Sequence, residues 1–266
     1  MIMPIINKLA DLQDFNQIGR ASIIEKLLKT RYVIEQTGLE YASHMQDDWL
    51  RLWEYSGAII ESRLDKRMRV IDVGGSGTIF SFYMALEGCE VHTVDLWEEQ
   101  VAKAKLISAE LGLPMTHSIQ DACLLDYPDA YFDAVYCICV LEHIYPTGQL
   151  EAIKELTRIL KPGGVLSLTF DYGSKAADFP ILNKNEVISR FAGPSGLEIM
   201  GNSTFHAASN DLAQTTIDYT FGSLFLRKPG ELSFANVDRP SVGTPALLDV
   251  GDGFSANYHC PRPKGV

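Results

Sequence analysis

The amino-acid sequence predicts an α/β fold: a doubly wound, mostly parallel seven-stranded sheet with a helical segment in front of it. Three observations carry this. Between Arg69 and Phe170, short apolar runs alternate with stretches of helical period. The first of those runs ends in a glycine-rich turn, Gly74-Gly75-Ser76-Gly77. Acids stand at or beside the ends of successive runs, namely Asp72, Asp95 and Asp121. Apolar strands separated by helices need crossover connections, which make neighbouring strands parallel and cover both faces of the sheet.

The elements follow in order. From Asn7 to about Asp65 the pattern is helical: in RASIIEKLLKTRYVIEQ, residues Ile23, Ile24, Leu27, Leu28 and Ile34 fall near helical spacing, and a second helical stretch follows in YASHMQDDWLRLWEYSGAIIESRL. Arg69 to Val73 then reads as a strand, Ile79 to Glu87 as a helix, and Glu90 to Asp95 as a strand. Next come a helix over Glu98 to Leu111, a short strand over Met115 to Ser118 and a strand over Phe132 to Ile138. A helix over Gln149 to Leu160 is stopped by Lys161-Pro162-Gly163-Gly164, which turns into a strand at Val165 to Phe170. A helix at Lys184 to Ala192, a strand at Leu197 to Gly201 and a last strand around Tyr219 to Leu226 complete the set. The chain thus divides into an N-terminal helical appendage or lid (1–65), an α/β ligand-binding domain (66–230) and a C-terminal tail (231–266) rich in Pro, Gly, Asn and Asp.

Composition excludes several classes of function. A net charge of −11 over 266 residues disfavours a nucleic-acid partner, because that affinity comes largely from Lys and Arg displacing counterions. The five cysteines are odd in number, and four sit in or beside apolar segments, which suits reduced thiols in a cytosolic protein. Cys137 and Cys139 form a C-x-C pair without the further ligands of a zinc site. No apolar stretch reaches the roughly 20 residues of a membrane helix, and no leader pattern opens the chain. The expectation is a soluble, cytoplasmic protein that acts on a small molecule, with neither nucleic acid nor membrane as partner; a homo-oligomer stays open.

A strand, a glycine-rich turn and a helix present backbone N–H groups at the carboxyl edge of a sheet, where no Cβ blocks a ligand. Asp95, ending the second strand, is placed to accept from both hydroxyls of a ribose. A dinucleotide site calls for G-x-G-x-x-G/A. Here Gly75-Ser76-Gly77-Thr78-Ile79-Phe80 ends in a bulky ring, so a pyrophosphate is disfavoured.

Taken together, VIDVGGSG, Asp95, QDACLLDYPDAYFDAVYCICVLEHI and ELTRILKPGGVLSLTF resemble, in order and spacing, the successive motifs of class I S-adenosylmethionine-dependent methyltransferases. The branch most similar is the small-molecule one, of methyltransferase type 11, that includes quinone-biosynthesis O-methyltransferases. The likeness covers Val70 to Phe170, with YTFGSLFLRKP as a looser final strand, and implies a Rossmann-like fold. S-adenosylmethionine has no phosphate; its ammonium, its ribose and adenine N6 all ask for acceptors, so acids at successive strand ends suit it. The resemblance implies that Asp72 holds the methionine ammonium through water and that the Gly74, Gly75, Ser76 and Gly77 turn admits the cofactor. It further implies that Asp95 takes the ribose, with Leu96 against the adenine, and that Asp121 accepts from N6 while the Ala122 N–H donates to N1. Cys137 or Ile138 would offer a carbonyl to the ammonium, and Trp53, Glu54 and Tyr55, on the helix before the first strand, would touch the methionine moiety.

Methyl transfer from a sulfonium is an in-line displacement, so the protein aligns the partners and, for a hydroxyl acceptor, removes a proton. His143, after the fourth strand, is the leading candidate base. Asp171, ending the fifth, is the second catalytic candidate, and His206 a more distant one. Related quinone enzymes carry a metal on E-x-x-E-H, but Cys139-Val140-Leu141-Glu142-His143 replaces the first acid, so no metal is expected. The reaction expected is O-methylation of a small molecule, a sugar or polyol among the options. N-methylation of a small amine and a non-catalytic regulatory subunit are the alternatives.

Overall fold

The computed structural model describes residues 5–17, 19–41, 49–173, 178–205 and 220–230. Three strands form at the boundaries that the apolar runs predict: β2 (Arg69–Val73), β3 (Glu90–Asp95) and β5 (Phe132–Ile138). With β4 (Thr116–Ile119), β6 (Leu160–Tyr172), β7 (Glu198–Ile199) and β9 (Thr220–Arg227) they make one seven-stranded sheet in the order β4-β3-β2-β5-β6-β9-β7. The first five strands in that order pair in parallel, and β9 is antiparallel to both of its neighbours.

Helices cover both faces, as parallel crossovers require. On one, α5 (Pro146–Ile159) lays Ala152, Ile153, Leu156 and Ile159 on Ile71, Val135, Leu166 and Leu168. On the other, α1 (Arg20–Glu35), α2 (Trp49–Ser62), α3 (Ile79–Leu86) and α4 (Glu98–Glu110) pack with Val70, Val91, Ala134 and Tyr136. Burying apolar area at about 25 cal/mol per Å² is what holds these layers together. In α1, the buried Leu27 and Ile34 are two turns apart on one stripe, while Leu28 is exposed.

The helical pattern predicted from Asn7 is corrected at its start. Ile5–Lys8 is a strand, β1, parallel to β8 (Asn202–Thr204), followed by a 3-10 turn at Leu12–Asn16 capped by the Asp11 side chain. The physical reason lies far along the chain. Asn7, fully buried, donates to the Met200 carbonyl and accepts from the Phe225 N–H, contacts that no local window reveals. The strand predicted over Leu197 to Gly201 is shortened to β7, because Gly201 at φ 61° turns the chain away into β8. The predicted helix at Lys184 to Ala192 is α6 (Lys184–Val187) running into a π-helical turn at Ile188–Ala192. The strand after α5 begins earlier than predicted. At Gly164 a Cβ would fall 2.7 Å from Leu160 and 2.8 Å from the Asp133 carbonyl, so only glycine lets β6 start beside β5 there. No helix among the described residues is long and apolar enough to cross a membrane. The tail at 231–266 and His206 lie outside the described residues.

Candidate functional site

The carboxyl ends of β2, β3, β5 and β6 meet at one edge of the sheet. Asp72, the penultimate residue of β2, is 1% exposed. Its Oδ2 accepts from Ser81 Oγ at 2.7 Å and Thr78 Oγ1 at 3.4 Å, and its Oδ1 accepts nothing. Burial, and after it the charge of Asp95, push its carboxyl up to about 7 against those hydroxyl bonds. The glycine turn is shaped by the protein's own atoms. At Gly74 (φ 80°) a Cβ would strike Val140 Cγ2 at 2.4 Å, and at Gly75 it would overlap the Asp72 carboxyl. Ser76 is buried, its hydroxyl 3.0 Å from Thr93 Oγ1, whereas at Gly77 (φ 83°) a Cβ would make only ordinary contacts with Gln100, at 3.6 and 3.8 Å.

Asp95 accepts from the Trp97 N–H at 3.1 Å, and backbone N–H groups of Ser76 and Leu96 also face it. Burial nevertheless raises its pKa. Leu96 and Trp97 beside it are exposed apolar side chains at the mouth of the edge. Asp121 closes a local turn, its Oδ1 accepting from the Cys123 N–H at 2.9 Å, and Ala122 is buried within that turn. Cys137 is fully buried and Ile138 half-buried at the end of β5. Tyr55 is 3% exposed, its ring stacked on Phe80 at 5.0 Å.

One step beyond β5 stands a second cluster. Cys139 has a left-handed backbone (φ 51°), rare for a residue with a side chain. The twist directs Sγ to 2.8 Å from Glu54 Oε1 on α2 and 3.8 Å from Asp171 Oδ1 at the end of β6. Glu54 Oε2 accepts from Arg51 at 2.8 Å. Glu142, in the 3-10 turn Leu141–His143, is fully buried; its Oε1 accepts from the Asp171 N–H at 2.9 Å and its Oε2 has no partner. Burial and the charge of Asp171 push Glu142 up to about 8, and burial raises Glu54 and the Cys139 thiol. The same turn sends His143 outward: its side chain is 54% exposed, with Nδ1 3.6 Å from Asp178 Oδ2. The sequence-predicted site residues therefore fall into two neighbouring groups. Asp72, Asp95 and the turn form one, and Asp171 with the 139–143 segment forms the other.

Residues 71–168 match a family model described as a methyltransferase domain. Over that stretch the chain is similar to a methyltransferase domain. Among curated proteins, the ubiquinone biosynthesis O-methyltransferase of Proteus mirabilis is 37% identical over 112 residues, 41% of this chain and 44% of the relative. The protein of the same name from Xanthomonas axonopodis pv. citri is 41% identical over 103 residues, 38% of this chain and 42% of the relative. The chain thus matches less than half the length of these curated relatives. Among solved structures, the cyclase SpnF superposes with a TM-score of 0.55 at 21% identity, covering 86% of this chain and 99% of that one. A SAM-dependent methyltransferase from Methanosarcina mazei gives 0.52 at 19% identity, covering 65% and 98%. These likenesses show the fold.

The residues present fit S-adenosylmethionine, the cofactor that the sequence motifs imply. The buried Asp72 Oδ1 is an acceptor without a donor, which suits an ammonium reached directly or through water. Asp95 keeps lone pairs beyond those its backbone neighbours use. Cys139 Sγ, Glu142 and Asp171 also bring three ligand atoms within 4.8 Å of one another. One sulfur with two oxygens is a donor set for a borderline cation such as zinc more than for magnesium. The sequence points to Glu54 only beside the methionine moiety and to Glu142 only within the interrupted metal motif, not to their meeting in one cluster. The signal for Glu142 was its three-residue spacing from Cys139, which one 3-10 turn folds back under the strand end. Nothing in the local sequence joins Glu54 to position 139.

Proposed function

We propose that this protein is a methyltransferase that moves a methyl group from S-adenosylmethionine to a hydroxyl of a small molecule. The observation that carries the reading is the adjacency of two things: a strand-end edge whose acids suit the cofactor, and a cluster of acids one residue past β5 where an acceptor would lie. The names of the curated relatives support oxygen as the acceptor atom.

When bound, S-adenosylmethionine supplies an electrophilic methyl group on a positive sulfur. The chain's own work is then to hold and orient. Asp72, ionised, takes the ammonium; Asp95 takes the ribose hydroxyls; Asp121 and the Ala122 N–H take the adenine edge, with Leu96 against its face. The Cys137 or Ile138 carbonyl is a further acceptor for the ammonium. His143 removes the acceptor proton from the rim, with Asp178 steadying Nδ1 so that Nε2 is free, and Asp171 is the inner alternative base. The crowd of buried acids around Cys139 also favours a second reading, an amine acceptor drawn in as its cation and nucleophilic once it has given up that proton, which takes no strong base.

Two measurements test this. Isothermal titration should show binding of S-adenosylhomocysteine and none of NAD; the reverse result defeats the cofactor assignment. A methyl-donor assay over sugars, polyols, phenols and amines then identifies the acceptor, and transfer to amines alone replaces the O-methylation reading with the second one.

A further inference from the structure

A cavity of about 160 Å³ lies behind α2, against β1 and β9, lined by Lys8, Gln17, Arg20, Gly57, Glu61 and Phe225 among others. One of its groups is out of balance. Arg20 is 5% exposed, and its Nη1 donates to the Trp53 carbonyl and to Ser56 Oγ, both at 3.0 Å. Its Nε is fully buried and donates to nothing. A guanidinium has five N–H donors and is hard to bury without acceptors. The nearby acids do not supply them: Asp14 is engaged by Lys8, Gln17 and Trp53 Nε1, and Glu61 acts on Arg20 only through space. Gly57 packs beside the guanidinium without crowding it, since a Cβ there would stand 3.6 Å from Nη2 and 3.8 Å from Nη1.

We infer that this cavity is a second ligand site, for a short carboxylic acid bearing a hydroxyl or an ammonium at its other end. The Nε–H and Nη2–H of one guanidinium edge match the two oxygens of a carboxylate. Glu61, on the cavity wall, is an acceptor for the far donor. The size limits the class to small members, because a cavity of about 150 Å³ takes up one benzene-sized molecule. The cavity adjoins the Cys139 cluster: Glu54, which holds Cys139, is itself one of its lining residues, one helical turn before Gly57 on α2. An occupant would brace α2 against β9 and with it the Glu54 carboxylate. The inference does not depend on methyl transfer.

Isothermal titration of the full chain, with lactate, glycine, acetate and lactamide as probes, tests it. Lactate or glycine should bind saturably, acetate more weakly, and lactamide, which lacks the carboxylate, not at all. Arg20→Lys should weaken binding about tenfold or more, since it removes the forked edge. Because Arg20 also holds the backbone of α2, Gly57→Ala provides a second variant. Its Cβ makes only ordinary contacts, at 3.6 Å to Nη2 and 3.9 Å to Phe225, so the fold should persist while the cavity narrows and affinity falls. Glu61→Gln should weaken lactate and glycine more than acetate. No saturable binding of any acid, or equal binding by the parent, Arg20→Lys and Gly57→Ala, overturns the inference, as would a crystal structure with lactate in which only water bridges Arg20 and Glu61.

Discussion

Cys139 Sγ lies 2.8 Å from Glu54 Oε1, tying the helix that precedes the sheet to the residue that ends its central strand. The thiol, held neutral by burial, donates, and the carboxylate's other oxygen accepts from Arg51. This pair fixes α2 over the strand-end edge. It is buried, so its loss strands charge: Glu54→Ala leaves Arg51 without its carboxylate, and breaking one side of a buried pair costs about 3 to 5 kcal/mol. Chemical denaturation should show a loss of that order, whereas Cys139→Ser, which keeps a donor, should lose much less. Equal, small losses in both would mean that the contact does not hold the helix.

Asp95 is the acid best placed to report cofactor binding alone. It sits at the end of β3 with its carboxylate toward the glycine turn, and hydrogen bonds to a charged acceptor are each worth about 1.5 to 3 kcal/mol. Asp95→Ala should therefore weaken S-adenosylhomocysteine by roughly tenfold or more while leaving the thermal midpoint within a few degrees of the parent. Unchanged affinity would confine Asp95 to its bond with the Trp97 N–H.

Asp72 gives a pH dependence with a definite sign. Its carboxyl is raised from 3.8 to about 7, chiefly by burial, so the folded protein keeps a proton that the unfolded chain releases. The stability this group contributes is full below about pH 4 and is lost as pH rises through 7. Cofactor binding runs the other way, since only the ionised form pairs with an ammonium. Affinity for S-adenosylhomocysteine should climb between pH 6 and 8, approaching about tenfold per unit below the pKa. Asp72→Asn should flatten that slope and bind weakly throughout; a slope that survives the substitution belongs to another group.

Much of this was legible from residue order alone. The limits of β3 and β5 agree with the sequence reading because central parallel strands, buried on both faces, read as unbroken apolar runs bounded by polar or glycine turns. The glycine turn was equally plain, although two of its glycines answer to Val140 and Asp72 as well as to any ligand. What escaped depends on partners distant in sequence. Strand β1 is fixed by pairing with Asn202–Thr204, far along the chain, and four residues carry too little pattern to announce it. The meeting of Glu54, Cys139 and Asp171 needs a left-handed Cys139, a conformation that nothing in Cys139-Val140-Leu141 foretells.

His143 separates the two acceptor classes. It projects from the turn at Leu141–His143 into solvent, opposite in direction to the buried Glu142 beside it, and its Nδ1 faces Asp178 across 3.6 Å. If a hydroxyl is the acceptor, His143→Ala should lower the methyl-transfer rate by roughly a hundredfold or more, the usual share of a general base, and leave S-adenosylhomocysteine affinity unchanged. Asp178→Asn, which removes only the weak and exposed partner, should cost far less. A normal rate in His143→Ala with Asp171→Asn inactive transfers the base to Asp171. A normal rate in both variants points to an amine, which is nucleophilic once neutral and leaves the acids around Cys139 to attract its charged form. Chelation is the remaining control: activity lost to a chelator and restored by zinc would put a cation on Cys139, Glu142 and Asp171, and the base would then be sought among groups beside that ion.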